Sequence, residues 1–232
     1  MKPTLLSFPV CLVLFVAFGL STLSQAAELI DSSSFTARAS TWANGDYRTP
    51  ISAFNGAGLS FNGSDYEHDT SPNDHMWLTD PNVDISESWV LVDMAAAYDL
   101  DSIRVWNYNE SGQAKYLRRG VNEAKIWVTT AGTIPVDESG NFDFSSNGWS
   151  QVGGGVTFEQ APGTDGYVAP AANTVALGGV TARYLAIEVD SNHGTNEVGL
   201  SEVQLFAVPE PSSVVLLFLG LGGLFVAGRR KK

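Results

Sequence analysis

The run Trp106-Asn107-Tyr108-Asn109-Glu110 puts an indole, a phenol, two amides and a carboxylate within five residues, and Arg118 and Arg119 follow across a short loop. Asn192 and His193 lie in a later polar loop. This set suits carbohydrate. An aromatic face stacks on the C–H surface of a sugar ring, while amide and guanidinium groups read its hydroxyls in set directions. The expectation is that Trp106, Asn107, Asn109, Glu110, Arg119 and His193 converge on one rim. The competing expectation is that Trp106 and Tyr108 pack into a sheet and Arg119 serves a structural ion pair, since β-proteins commonly bury their aromatics.

A second stretch, Tyr66 to Trp77, is dense in potential ligands. His68, Asp69, Asp74 and His75 could hold a transition metal, and an exposed Trp77 could be a sugar platform. Their spacing matches no metal signature, so a solvated loop pinned to the core by Trp77 is favoured. No nucleophile–base pair and no pair of acids can be located by spacing, so the chain is expected not to be an enzyme.

The elements that must position these groups read as strands and long loops, without a convincing helix. Trp89 to Met94 is rich in β-branched and aromatic residues. From Ile103 to Tyr108, Ile103 and Val105 fall on one face, with Arg104, Trp106 and Tyr108 on the other. Ile126 and Val128 oppose Trp127, and Leu185, Ile187 and Val189 alternate with Tyr184, Ala186 and Glu188. In the last strand, Leu200 to Val208, Val203 and Leu205 point inward, opposite Glu202, Gln204 and Phe206. Polar connections at 55–82 and 135–147 separate these strands. Short alternating strands joined this way indicate an all-β fold, an antiparallel sandwich or jelly roll.

The two ends set the compartment. Lys2, an apolar run over 9–20 and Ser24-Gln25-Ala26 make a signal peptide over 1–26, cut after Ala26 by signal peptidase. At the other end, Pro209-Glu210-Pro211 precedes an uncharged stretch, Val214 to Gly228, and then Arg229-Arg230-Lys231-Lys232. Fifteen residues at helical rise reach about 22 Å, short of a hydrocarbon core of about 30 Å. Such a transmembrane helix is a poor permanent anchor, and its basic tail stays on the cytoplasmic side.

Between the ends, 27–208 form one domain with a proper core. It carries 8 Lys and Arg against 24 Asp and Glu, a net charge of −16. That charge disfavours nucleic acid and anionic membrane as partners. The single cysteine, Cys11, lies in the signal peptide, so the mature domain has no disulfide and no thiolate chemistry.

Two resemblances follow from these residues. The order Pro-Glu-Pro, apolar stretch, basic cluster over 209–232 resembles the PEP-CTERM sorting signal of Gram-negative bacteria. That family implies processing by a membrane-embedded exosortase at or near Pro209, Glu210 and Pro211, and display on the cell surface or in the extracellular matrix of a biofilm. The middle resembles the discoidin, or coagulation-factor 5/8 type C, galactose-binding-like family. The matching residues are Ala39-Ser40-Thr41, Ala53-Phe54-Asn55-Gly56, Trp89 to Met94, Asp99 to Val105, Ala182 to Ile187 and Gly199 to Leu205. A bacterial subgroup is matched further by Trp106 to Glu110, Arg119-Gly120 and Ala161 to Tyr167.

That resemblance implies an eight-stranded jelly-roll sandwich that binds carbohydrate or exopolysaccharide without catalysis. It also implies a structural calcium between Asn55 and Glu202, although Asn55 stands where an Asp is common and Met94-Ala95 where Leu-Gly is common. The alternatives are a structural matrix or adhesion protein with no glycan ligand, and a small polysaccharide hydrolase or lyase.

Overall fold

The computed structural model describes residues 26–43, 45–138 and 140–209. The expected signal peptide over 1–26, all but Ala26, lies outside the described residues, as do Glu210, Pro211, the apolar stretch and the basic tail. Among the described residues no helix is long and apolar enough to cross a membrane.

Eleven strands are described: β1 Glu28–Leu29, β2 Thr36–Ala39, β3 Leu59–Phe61, β4 Tyr66–His68, β5 Trp77–Leu78, β6 Trp89–Asn107, β7 Val121–Thr129, β8 Ser150–Gln151, β9 Val156–Thr157, β10 Thr174–Asn192 and β11 Gly199–Ala207. One helical turn that the sequence did not suggest, α1 at Ala114–Leu117, sits in the loop before β7. β3 and β4 form a separate hairpin, and the other nine strands share one antiparallel sheet along the path β1-β11-β6-β10-β7-β8.

That sheet folds back on itself, because β6 and β10 are each 19 residues long and both are bent. Val90 to Asp93 pair with Tyr184 to Ile187 in one layer, while Leu100 to Arg104 pair with Thr174 to Val180 in the other. The two sequence segments read as separate strands, Trp89 to Met94 and Ile103 to Tyr108, are thus one strand with a kink between them. Ala95 makes the kink at φ +64°. For an L-residue the left-handed region costs roughly 1–2 kcal/mol, which a glycine would avoid. The Ala95 N–H donating to Asp93 Oδ1 at 2.9 Å offsets part of that cost.

Alternation places the core as read. Ile103, Val105, Ile126, Val128, Leu185, Ile187, Val189, Val203 and Leu205 all belong to one buried cluster between the layers. The opposite faces are covered too. Trp89, Leu91, Trp127 and Ala186 pack beneath Phe144, from the connection over 135–147 that composition marked as polar, and Trp149, just beyond it. Glu202 and Gln204 are buried as well, because the N-terminal segment and the 54–59 turn close over that side of β11.

The fold has two poles. At one, β6 ends, β7 begins, β10 ends and β11 begins. A parallel bridge between Gly120 and Gly199 ties these ends together, with Gly199 N–H donating to Arg119 O at 2.9 Å. Both glycines are required by close approach. A Cβ on Gly199 would lie 2.3 Å from Trp77 O, and one on Gly120 would lie 2.6 Å from Asn107 Oδ1. At the other pole lie the bends of β6 and β10, and there the chain enters and leaves. Glu28 pairs with Ala207, and Val208 N–H donates to Asp99 O at 2.7 Å.

Candidate functional site

The rim pole gathers most of the residues that the sequence singled out, though not in equivalent roles. The end of β6 carries Asn107 inward. Its amide donates to Val121 O at 2.8 Å and Glu159 O at 2.9 Å, and its Oδ1 accepts Tyr108 N–H at 2.9 Å. Asn109 does the same for three loops. It donates to Asp69 O at 3.0 Å and Thr164 O at 2.9 Å, and accepts Gly163 N–H at 2.8 Å. Both side chains are wholly buried and spend both amide donors and one acceptor on the backbone. They are staples of the rim rather than groups held out to a ligand.

The two tryptophans are not platforms either. Trp77 is 0 % exposed and donates its indole N–H to Thr41 O at 3.1 Å. Trp106, also 0 % exposed, donates to Tyr167 O and lies beneath the Arg104 guanidinium. Each indole buries its large apolar surface and pairs its one polar atom, the usual outcome when a tryptophan is enclosed. His193 joins the rim through its backbone N–H, which donates to Gly120 O at 3.3 Å. Its ring faces the backbone of Phe158 and Val121, and burial holds its pKa below the ordinary imidazole value.

Glu110 and Arg119 do come together, inside a larger charge network. Arg119 Nη1 donates to Glu110 Oε2 at 2.7 Å, and its Nη2 lies 2.7 Å from Glu197 Oε2. Arg48 reaches the other side of Glu110 with both terminal nitrogens, at 3.2 and 3.4 Å. It also donates to the Tyr108 hydroxyl, which in turn donates to Glu110 at 2.8 Å. Burial pushes the Tyr108 phenol far above its ordinary value, so it remains a neutral donor. Burial works against the charge on Arg119, but the Glu197 and Glu110 carboxylates raise its pKa.

The network therefore holds two guanidinium groups against two carboxylates. Arg119 lies 4.5 Å over the Tyr116 ring. Beside Arg48, Tyr47 stands 57 % exposed. Arg48, Glu197 and Tyr47 were not singled out from sequence, because their partners lie in remote loops.

The Tyr66 to Trp77 stretch closes one flank of this rim. His68 is fully buried under Gly58, with Nδ1 at 2.8 Å from Asp69 O, and burial depresses its pKa. His75 pairs with the Asp69 carboxylate at 2.9 Å. Among the described residues no group of three or more His, Cys, Asp or Glu side chains could hold a metal.

Glu202 and Asn55 stand where the resemblance implied calcium. Glu202 is 2 % exposed and its carboxyl accepts Gly56 N–H at 2.9 Å. Asn55 is turned into its own turn, where its Oδ1 accepts Ala57 N–H at 2.8 Å. Calcium takes six to eight oxygens. The side chains there supply one buried carboxyl, so backbone carbonyls would have to supply most of a calcium shell. Burial raises the Glu202 pKa well above the ordinary carboxyl range, opposed in part by the Gly56 N–H.

Comparison with solved proteins shows the fold. The chain has the antiparallel β-sandwich fold of the discoidin-like carbohydrate-binding modules. The family 32 module of Clostridium perfringens NanJ, solved in complex with galactose, superposes with a TM-score of 0.50 at 16% identity, over 78% of this chain and 99% of that one. The F5/8 type C domain of a Bacteroides fragilis protein superposes at 0.48 and 14% identity, over 78% and 97%. A family 89 glycoside hydrolase from Clostridium perfringens gives 0.46 and 17% identity, over 79% of this chain. The chain spans only 15% of that enzyme's length. No curated protein matches the sequence. Residues 207–231 match the PEP-CTERM protein-sorting motif.

Proposed function

We propose that this protein is an exported, non-catalytic binding module that recognises polysaccharide through its rim and is handed to an exosortase by its C-terminal motif. The observation that carries this reading is the separation of the two poles. The Arg48–Glu110–Arg119–Glu197 network and exposed Tyr47 lie at one end of the sandwich, while the chain runs into the sorting motif from Val208 at the other. A domain held by its tail would then present the rim outward, to matrix or cell-surface glycan. The fold shared with a module solved in complex with galactose supports the choice of ligand class.

The rim offers the parts such recognition needs: a charge-fixed guanidinium, carboxylates able to accept hydrogen bonds from hydroxyls, and aromatic faces on Tyr47 and Tyr116. Polysaccharide binding by residues 27–208 on a glycan array tests the reading. Saturable binding that Tyr47→Ala weakens without lowering the melting temperature is the expected result. Absence of any saturable glycan would favour the spacer or adhesion role, and turnover of a polysaccharide would make the protein an enzyme.

A further inference from the structure

The folded domain runs into the sorting motif without a spacer. The matched motif begins at Ala207, which is also the last residue of β11, and Pro209 follows two positions on. Proline has no N–H, so Val208 is the last residue there that can donate to the sheet. It does so, to Asp99 O at 2.7 Å. Ala207 is paired on both sides, with Glu28 of β1 and Leu100 of β6, and Phe206 lies between Leu29 and Ser102. Ile30 N–H takes up Leu205 O at 2.9 Å. An enzyme that receives a peptide as an added strand reads these same main-chain groups. On the upstream side of Pro209 they are already in use.

The hold is nevertheless slight. β1 is two residues long, Leu29 is 38 % exposed and Val208 is 41 % exposed. A groove of about 430 Å³, lined by Leu29, Tyr98, Asp99, Ala207 and Val208 among others, runs beside the pairing, so little packs on these residues from that side. Segments with few buried contacts open locally, well below the cost of global unfolding.

We propose that the β1–β11 pairing is a latch on C-terminal processing. The sorting peptidase engages the chain only after Glu28 and Leu29 peel from Ala207 and Phe206 and Val208 leaves Asp99, so the open population sets the rate of tail removal. This inference rests on the reading that the motif is processed. The expected cut after Ala26 makes Glu28 the second residue of the mature chain, so the latch strand has a free end from which to peel.

The test uses residues 27–232, purified in detergent from a host without exosortase, carrying Leu29→Cys and Phe206→Cys. This pair stands beside the hydrogen-bonded Ile30 and Leu205, where opposed strands come closest and a disulfide fits. Cys11 is absent from the signal-processed chain, so no other thiol competes. Oxidised and reduced forms are given to exosortase-containing membranes, and tail removal is followed by mass spectrometry. The oxidised form is expected to lose its tail at least about tenfold more slowly than the reduced form. Leu29→Gly, which weakens β1, is expected to lose it faster than the parent, and serves should the disulfide not form. Hydrogen exchange on the parent needs no peptidase, and should show the Val208 amide exchanging at least about tenfold faster than that of Val203. Equal cutting of oxidised and reduced forms, no gain from Leu29→Gly, or Val208 protected as well as Val203 would each overturn the latch and leave the sorting reading standing. Fast Val208 exchange with no tail removal from any form would overturn the sorting reading, and the latch with it.

Discussion

Arg119 holds Glu110 at 2.7 Å, and the same guanidinium bridges to Glu197 at 2.7 Å. One side chain from the loop before β7 thereby ties the end of β6 to the start of β11. The three side chains remain 12 to 15 % exposed, so the network is rigid yet still reachable from solvent. A preorganised group of this kind loses little freedom when it meets a ligand.

Arg119→Lys separates charge from geometry. Lysine retains the positive charge but loses the planar fork that reaches both carboxylates. We expect a stability loss of about 1 kcal/mol and polysaccharide binding weakened about tenfold. Thermal melts and a binding isotherm on the same preparation check this, and undiminished binding would remove Arg119 from the ligand surface.

Asn109→Ala tests the staple role. It leaves two backbone carbonyls and one backbone N–H without their partner in a buried setting. The expected cost is about 2–4 kcal/mol, seen as a clear fall in melting temperature. An unchanged melt would mean that the three loops hold one another without the amide, and would return Asn109 to the candidate ligand groups.

Glu202 gives a pH signature. Its folded pKa is raised, so the folded state retains a proton that the unfolded chain gives up above about pH 4.3. Its contribution to stability therefore falls as pH rises from that value toward the folded pKa. Glu202→Gln has no proton to lose. The variant should gain on the parent as pH rises, by up to about 1.4 kcal/mol per pH unit within that window. Asp65 and Asp93 run the other way. Hydrogen bonds from Arg104 and Arg183 lower their pKa values, so their contribution is present above about pH 3.9 and is lost on acidification. Parallel pH–melt curves that never diverge would show that Glu202 is solvated.

Ala95→Gly should stabilise. Glycine removes the left-handed strain at φ +64° but adds freedom to the unfolded chain, for a net gain of about 0.5 kcal/mol. Chemical denaturation checks it, and a loss would mean that the kink in β6 is held without strain.

What the sequence determined by itself was whatever is local. The alternation of Ile103 with Val105, and of Leu185 with Ile187 and Val189, marked the core face, because a strand sends successive side chains to opposite sides. The ordered motif at the C-terminus needed no fold to be read, since 207–231 form a contiguous address. The roles of polar residues were not local. Asn109 has its partners 40 and 55 positions away, and Arg48 meets Glu110 across 62. Glu202 looked like one side of an exposed strand until Phe54 and the N-terminal segment closed over it. Composition alone could not tell a polar group that serves the backbone from one held out to solvent. Which it becomes depends on where the chain returns, and only the tertiary structure decides that.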